Sequence, residues 1–284
     1  FDWRNELVLS TKKQIERFYN TVMELKDASG EPHEIDRWLM SRLQAHIAKT
    51  TEALDKFQTR QALQESYFGI ESDLKWYRRR VGKDAVGSRE LHELCSAWTR
   101  LLAPFIPFTS EHLWKELGGE GLVSFAAWPV ADSSRTDVQA ELAEELLART
   151  VEDIESILKL IQMKPQAITI ALAPAWKQQV FATIASAADR NTVVREIMKD
   201  EGMRKRGKAA TDAAKQITTL IHRLPPYVVE PLTKESIDEK AVFDAAKGFL
   251  EAEFGVTVHI AEAEGSGHAK AATALPFKPA IVIE

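Results

Sequence analysis

The stretch that decides the fold class is Asp36-Arg-Trp-Leu-Met-Ser-Arg-Leu-Gln-Ala-His-Ile47, in the first part of the chain. Its apolar residues recur at the spacing of one side of an α-helix, and they are Trp38, Leu39, Leu43 and Ile47. The stripe continues over residues 54–81, and helical spacing extends from residue 1 to about residue 117. The pattern therefore predicts long amphipathic helices throughout this part of the chain.

Turn-forming residues interrupt the helical pattern at three places. These are Ser29-Gly30-Glu31-Pro32, the segment from Gly82 to Gly87, and Pro104 with Pro107. Glycine favours turns and proline cannot continue a helix, so each place predicts a helix boundary. Residues 118–129 are predicted to form a turn and an irregular strap. We therefore predict a first domain, residues 1–135, that is an all-helical bundle of four or five helices.

The second part of the chain, residues 136–284, combines helices with strands. One helix is predicted from Asp137 to about Met163, after which the period of the apolar residues changes from helical spacing to two. This alternation predicts three short strands, at residues 167–172, 256–261 and 281–283. A small α+β domain follows from the mixture, so the whole chain is predicted to be mainly α.

Four further helices are predicted between the first two strands. The first begins with Pro174 in the first helical position. The other three cover residues 192–199, 208–222 and 236–254. In the last helix Ser236 and Glu239 form a predicted capping box, and Gly255 ends the helix. Residues 265–272 are rich in small residues and are predicted to be a mobile linker.

Composition excludes several classes of protein. The chain has 284 residues, of which 45% are hydrophobic and 28% charged, as in globular proteins. No apolar run approaches the roughly 18 to 20 residues that span a bilayer, and no signal peptide is recognisable, so a cytoplasmic protein is expected. The one cysteine, Cys95, lies among apolar helix positions and is predicted to be a buried, inert thiol. The seven histidines are scattered without metal-ligand spacing, which predicts surface roles for them and no metal site.

The charge of the first domain is concentrated at one helix end. The net charge of −5 argues mildly against a nucleic-acid partner. Residues 74–83, however, contain five cations and no acid, namely Lys75, Arg78, Arg79, Arg80 and Lys83. They predict a phosphate-binding ridge, although cations that neutralise the helix dipole would explain two or three of them. Trp76 and Tyr77 adjoin the ridge and are either base-stacking residues or core residues.

A second basic cluster lies in residues 199–208. Its candidate phosphate-binding residues are Arg204, Lys205, Arg206 and Lys208. Gly202, Gly207 and Lys208 spell most of a Walker A motif, but Ala209 stands where Ser or Thr must hold magnesium. We interpret the segment as a glycine-flexed basic loop that opens a helix, suited to phosphate or simply solvated. No catalytic motif is present in the sequence.

Several motifs resemble one enzyme family. They are Asp36-Arg-Trp-Leu-Met-Ser-Arg-Leu43, Phe57-Gln-Thr-Arg-Gln-Ala-Leu-Gln64, Asp73-Leu-Lys-Trp-Tyr-Arg-Arg-Arg80, Leu101–Trp114 and Trp128-Pro129. The motifs resemble the anticodon-binding helical bundle of class I aminoacyl-tRNA synthetases, and more narrowly the leucyl-tRNA synthetases of the archaeal and eukaryotic cytosolic type. Residues 197–208 and 278–284 resemble the C-terminal domain of that type. The catalytic signatures HIGH and KMSKS are missing, so the chain is expected to be the inactive C-terminal portion of a longer, monomeric enzyme.

The resemblance also implies partners and site residues. Leucine tRNA and the catalytic and editing domains of the same polypeptide are the implied partners, and ATP and magnesium are implied for the parent enzyme only. The bundle would hold the tRNA body through the ridge, and the C-terminal domain would reach the long variable arm through Arg204, Lys205, Arg206 and Lys208. Lys278 and a flexible tail, Ile281 to Glu284, including Ile283, would read the tip of the arm.

Two other functions remain open at this stage. Residues 137–155 hold seven acids and one arginine. They would suit a helical protein-interaction module that docks a basic partner through Glu144 and Glu145. A nucleotide hydrolase built on Lys208 is the other alternative, and we expect it to be excluded.

Overall fold

The structure is a computed structural model that describes residues 4–28, 30–82, 89–161, 165–187, 193–264 and 268–284. It divides into two compact units, residues 1–141 and 142–284. In the described residues no helix is both long and apolar enough to cross a membrane.

The first unit is entirely helical apart from its connections. Its helices are α1 (Asn5–Leu25), α2 (Asp36–Asp55), α3 (Thr59–Leu63), α4 (Ile70–Val81), α5 (Glu90–Leu102) and α6 (Pro107–Glu116). A π-helical turn, Gln64–Gly69, joins α3 and α4 into one helical run. Pro107 occupies the start of α6, where its missing N–H is not needed. The predicted mainly α bundle is thus confirmed.

The core of the first unit contains the apolar stripe predicted from the sequence. Leu39, Leu43 and Ile47 are buried, and Phe18 meets Trp98 edge to face with ring centroids 4.7 Å apart. Cys95 is fully buried, as predicted, and burial raises the pKa of its thiol to about 12. A thiol in this state is not a nucleophile at neutral pH.

One histidine contradicts the prediction of surface roles. His46 is 3% exposed and lies between two carboxylates: its Nε2 is 2.9 Å from Asp73 Oδ2, and its Nδ1 is 3.2 Å from Glu65 Oε2. Arg42 Nε donates to the same Asp73 oxygen at 2.9 Å. Burial lowers the pKa of His46, but the hydrogen bonds to Asp73 and Glu65 outweigh it and raise this pKa above the ordinary value. The prediction failed because neither carboxylate is close to His46 in sequence.

The π-helical turn is what brings the two carboxylates together. Glu65 and Asp73 are eight positions apart, which in an α-helix of 3.6 residues per turn separates two side chains by about 80° around the axis. A π turn holds one extra residue, so the eight positions span about two turns and both carboxylates face His46. Gly69 packs on the imidazole, where an added Cβ would come within 2.4 Å of His46 Cε1.

Residues 118–129, predicted to form a turn and an irregular strap, lie in a longer connection, residues 117–137, which has two short 3₁₀ turns at Val123–Phe125 and Ser133–Arg135. Side chains of α2 fix it to the bundle. Trp128 Nε1 donates to Thr51 Oγ1 at 2.9 Å, and the Asp132 N–H donates to Gln44 Oε1 at 2.9 Å.

The second unit is a three-stranded sheet with helices. Helix α7 (Val138–Ile161) leads into it, and its other elements are β1 (Ala167–Leu172), α8 (Ala175–Ser186), α9 (Val193–Ile197), α10 (Glu201–Arg206), α11 (Lys208–Arg223), α12 (Pro226–Lys234), α13 (Glu239–Phe254), β2 (Thr257–Glu262) and β3 (Ala280–Ile283). The strand order is β2-β1-β3, with β2 parallel and β3 antiparallel to the central β1. Ile168 and Ile170 of β1 are fully buried, as expected of a central strand. All three predicted strands are confirmed.

The ends of α13 correct one prediction and confirm another. The helix begins at Glu239, and its N-cap is Asp238, whose carboxylate accepts from the Ala241 N–H at 3.0 Å. The predicted capping box is therefore wrong. Glu239 Oε1 instead accepts hydrogen bonds from Phe277 N–H at 2.8 Å and from Gln178 at 3.0 Å. Gly255, at φ +68°, ends the helix as predicted.

Three other predictions in the second unit need correction. Pro174 is the N-cap of α8 rather than its first residue, and α12 was not predicted. Ala269–Thr273, placed in a mobile linker, is a 3₁₀ turn in which Ala271 is fully buried. Residues 265–267 of that linker lie outside the described residues.

Candidate nucleic-acid interface

The ridge of the first unit occupies the last turns of α4. Leu74 and Tyr77 face the core, whereas Lys75 and Arg78 are exposed. Arg79 and Arg80 are half-buried. Lys83, the fifth predicted member, lies outside the described residues. The ridge therefore presents its cations beside a buried helix face, at the negative end of the helix dipole.

Contacts inside the unit occupy part of the ridge. Arg78 Nη2 donates to Glu24 Oε2 at 2.9 Å, and the Arg79 guanidinium lies 5.8 Å from the centroid of the Trp76 ring. Trp76 is half-buried against the core, and Tyr77 is buried with its hydroxyl donating to Asp36 Oδ1 at 2.8 Å. Tyr77 is thus a core residue and not a base-stacking residue.

The second basic cluster is helical, which corrects the predicted loop. Asp200 caps α10, its carboxylate accepting from the Met203 N–H at 3.0 Å, and the helix ends at Gly207 with φ +54°. Arg204, Lys205 and Lys208 are all exposed. Because Gly202 lies inside a helix and α9 precedes the cluster, the strand-loop-helix frame of a nucleotide hydrolase is absent from this described segment.

Internal partners distinguish the cations of the cluster. Lys205 Nζ lies 2.9 Å from Glu201 Oε1, in a pair whose side chains are both about three quarters exposed. Arg206 is more confined: its guanidinium lies 4.8 Å from the centroid of the Trp176 ring, and its Nη1 is 3.3 Å from Glu264 Oε1. Sequence reasoning missed Trp176 and Glu264, because 30 and 58 positions separate them from Arg206.

Lys278 belongs to a different site, a groove of about 540 Å³. The groove contains two further cations that sequence reasoning missed, Arg223 at the end of α11 and Lys270 in the 3₁₀ turn. Asp153 is the acid among its lining residues. The groove and the basic cluster lie at opposite ends of α11, which with 16 residues is about 24 Å long.

A buried lysine holds the 3₁₀ turn that carries Lys270. Lys177 is 6% exposed, and its Nζ donates to the carbonyl oxygens of Ala272 and Ala274 at 2.7 Å each. Burial lowers the pKa of Lys177. The two hydrogen bonds fix the backbone that forms one wall of the groove.

The last residues of the chain are ordered, which corrects the predicted flexible tail. Ile281 is buried and Ile283 half-buried in β3, and Glu284 exchanges backbone hydrogen bonds with Ala167 at 3.0 and 3.2 Å. The flexible tail was a prediction from the resemblance, and the structure instead confirms the short strand predicted at residues 281–283. Its pairing with the central strand β1 could not be inferred from so short a segment.

The acidic residues of α7 are largely engaged within their own units. Glu141 Oε1 accepts from Ser41 at 2.5 Å, Glu145 pairs with Arg149 at 2.6 Å, and Glu144 is buried. Glu144 and Glu145, the two residues that would dock a basic partner, therefore do not form an exposed, unpaired acidic pair. Among the described residues there is also no group of three metal-binding side chains.

The chain is similar to known proteins over its whole length. The family described as the anticodon-binding domain of tRNA ligase matches residues 36–172. Leucine–tRNA ligases of Pyrococcus abyssi and Pyrococcus furiosus are 36% and 38% identical to the chain, over 100% of its length and 29% of theirs. That of Methanothrix thermoacetophila is 34% identical over 100% of the chain and 30% of the relative.

The chain is homologous to the C-terminal region of archaeal leucine–tRNA ligases. The chain spans about 30% of the length of those relatives. A crystal structure of the ternary complex of Agrobacterium radiobacter K84 LeuRS with tRNA and LeuAMS covers 74% of the chain at 18% identity. Its TM-score of 0.41 is too low to bear on the fold of the ligase region.

Proposed function

We propose that the chain is the tRNA-binding portion of a leucine–tRNA ligase. It positions leucine tRNA for ATP-dependent leucylation by catalytic domains on the same polypeptide, in a monomeric cytoplasmic enzyme. The observation that carries the proposal is the similarity of the whole chain to leucine–tRNA ligases, at 36% identity. ATP and magnesium act in the catalytic domains, because this sequence lacks HIGH and KMSKS.

The ridge is the proposed contact with the body of the tRNA. Lys75, Arg78, Arg79, Arg80 and Lys83 are its cations. Contacts to backbone phosphates fix orientation without reading sequence, so this site holds any tRNA of the right shape. Lys75 is the best test of the ridge, because it is exposed and the described residues include no ion pair of its ammonium group.

The second unit is the proposed contact with the long variable arm. Arg204, Lys205 and Lys208 offer exposed cations on α10 and α11, and Lys278 lies in the groove. Strand β3 is an edge strand, so its outer backbone groups are unpaired within the sheet. An ordered edge with Ile283 and Glu284 at its end replaces the flexible tail as the reader of unpaired bases.

Titration of the purified chain with leucine tRNA at several salt concentrations tests the proposal. Each phosphate contact contributes about 0.7 to 0.9 to the salt slope of log affinity, so Lys75→Ala and Arg204→Ala should each lower the slope by about that amount. Lys240→Ala, on the exposed face of α13, is the matched control and should leave the slope unchanged.

The variable arm is tested with a leucine tRNA whose arm is trimmed. Arg204→Ala should weaken binding of the intact tRNA and leave binding of the trimmed tRNA unchanged. Lys75→Ala should weaken both. Equal affinity of the wild-type chain for the two tRNAs would refute the assignment of the arm to the second unit, and the absence of saturable tRNA binding would refute the proposed function.

A further inference from the structure

Arg206 differs from the other cations of its cluster in how it is held. The guanidinium lies 4.8 Å from the centroid of the Trp176 ring, a distance at which a cation and an aromatic ring attract each other. Its side chain is 42% exposed, against 75% for the neighbouring Lys205. Arg206 is thus partly immobilised while one side of it still faces solvent.

The contact matters because α10 has few other anchors. The helix has six residues, and Met203 is its buried residue. Arg206 follows Met203 by three positions, so both side chains point to the same side of the helix. Met203 and Arg206 together therefore set the rotation of α10, which in turn sets where Arg204 and Lys205 point.

Glu264 completes the arrangement. Its Oε1 accepts from Trp176 Nε1 at 2.8 Å and lies 3.3 Å from Arg206 Nη1. A guanidinium has five N–H donors in a planar fork. Glu264 engages one edge of the Arg206 guanidinium, and no hydrogen bond to the opposite edge is seen among the described residues. The contact with the Trp176 ring restricts the orientation of the guanidinium and so the direction of that opposite edge.

We propose that Trp176 is a positioning residue of the RNA-binding surface: it holds Arg206 so that the free edge of the guanidinium donates to a phosphate of the bound tRNA. The inference rests on the proposed function. Trp176 itself makes no contact with RNA in this arrangement. Its indole ring acts only through Arg206, and Glu264 keeps the ring in place.

The experiment measures the affinity of the purified chain for leucine tRNA, and its salt slope, in a double-mutant cycle. Arg206→Ala should weaken binding about tenfold, the usual effect of losing one hydrogen bond to a charged group, and lower the salt slope by about 0.7 to 0.9. Trp176→Ala should give a loss of the same size with the same change in slope. The double variant should bind no more weakly than either single variant, because both remove one interaction.

Three further variants keep the result interpretable. Trp176→Phe retains an aromatic face but loses the N–H that donates to Glu264, and should bind more tightly than Trp176→Ala and more weakly than the wild type. Trp176→Leu fills much of the same space without a π face and should behave like Trp176→Ala. Far-ultraviolet circular dichroism and the unfolding midpoint of each variant identify any that has lost its fold, and Lys75→Ala, in the first unit, reports on an independent phosphate contact.

The outcomes separate this inference from the proposed function. If the wild type binds and Arg204→Ala weakens binding, but Arg206→Ala and Trp176→Leu leave affinity and slope unchanged, the positioning role is wrong and the proposed function stands. Additive losses in the double variant would also overturn it, because Trp176 would then contact RNA itself. If the wild-type chain shows no saturable binding of leucine tRNA, the proposed function is wrong, and the positioning role of Trp176 is wrong with it.

Discussion

The buried His46 makes the stability of the first unit depend on pH in a direction that the structure fixes. Its pKa is raised in the folded chain by the hydrogen bonds to Asp73 and Glu65. A group whose folded pKa exceeds its unfolded value stabilises the fold fully below the unfolded value, near 6.5. That contribution is lost as the pH rises through the folded pKa. The contribution of His46 should therefore be largest at pH 6 and smallest at pH 9.

The substitution His46→Leu tests this dependence, because it removes the hydrogen bonds of His46 to both Asp73 and Glu65. Breaking a buried ion pair by removing one partner costs about 3 to 5 kcal/mol. The cost should lie at the lower end of this range, because each carboxylate retains another ion pair in the variant. Asp73 pairs with Arg42 at 2.9 Å, and Glu65 pairs with Lys49 at 3.9 Å. We expect a loss of about 3 kcal/mol at pH 6. Once the pH has risen through the folded pKa, the neutral imidazole donates a single hydrogen bond, so the loss should fall towards about 1 kcal/mol.

Urea denaturation followed by tryptophan fluorescence measures the effect, because all but one of the seven tryptophans precede residue 142. The difference in unfolding free energy between wild type and variant is determined at pH 6, 7, 8 and 9. Replacing the exposed His112 by leucine is the matched control, and its effect should be small at every pH. A wild-type minus His46→Leu difference that stays constant or grows with pH would refute the reasoning.

Three other substitutions or reactions test the packing described above. Tyr77→Phe removes the hydrogen bond to Oδ1 of the buried Asp36, whose Oδ2 still accepts from the His33 N–H at 2.7 Å, and should lower the unfolding free energy by about 1 to 3 kcal/mol in the same urea assay. Asp238→Ala removes the cap that accepts from the Ala241 N–H and should cost about 1 kcal/mol; no change in the unfolding midpoint would contradict the assigned cap. Cys95 should react with a thiol reagent only at the rate of unfolding, so rapid labelling of the native chain would show that it is not buried.

Most of the fold could be predicted because periodicity reports directly on burial. The stripe in α2 marks residues whose exposure is set by one face of one helix. The alternation in β1 identified the strand but not its burial, because five of its six residues are buried. The errors lie where a distant residue decides the outcome. Glu239 did not join a capping box because Phe277 and Gln178 compete for its carboxylate. Residues 281–283 were correctly predicted as a strand. So short a segment carries too little pattern to predict which strand it pairs with, and the tail that contains it was predicted to be flexible.

The sequence predicted which cations belong to the candidate site, but not how the fold arranges them or which internal partners they have. Clustered cations identified α10 and the end of α4, since charge density is visible in the sequence. Which cations are held internally depends on long-range contacts, such as Glu24 with Arg78 and Trp176 with Arg206. The groove at Lys278 was not predicted for the same reason, because its other cations come from α11 and a 3₁₀ turn.

The π-helical turn at Gln64–Gly69 also identifies where this chain can change length. Deleting one residue inside the turn converts it into ordinary α-helix and leaves the faces of α3 and α4 in phase. Deleting one residue elsewhere in α4 rotates everything beyond it by about 100°, which would expose Leu74 and bury cations. Homologous chains that are one residue shorter in this helical run are therefore expected to have the gap at this turn. Single-residue gaps elsewhere in α4 should be selected against.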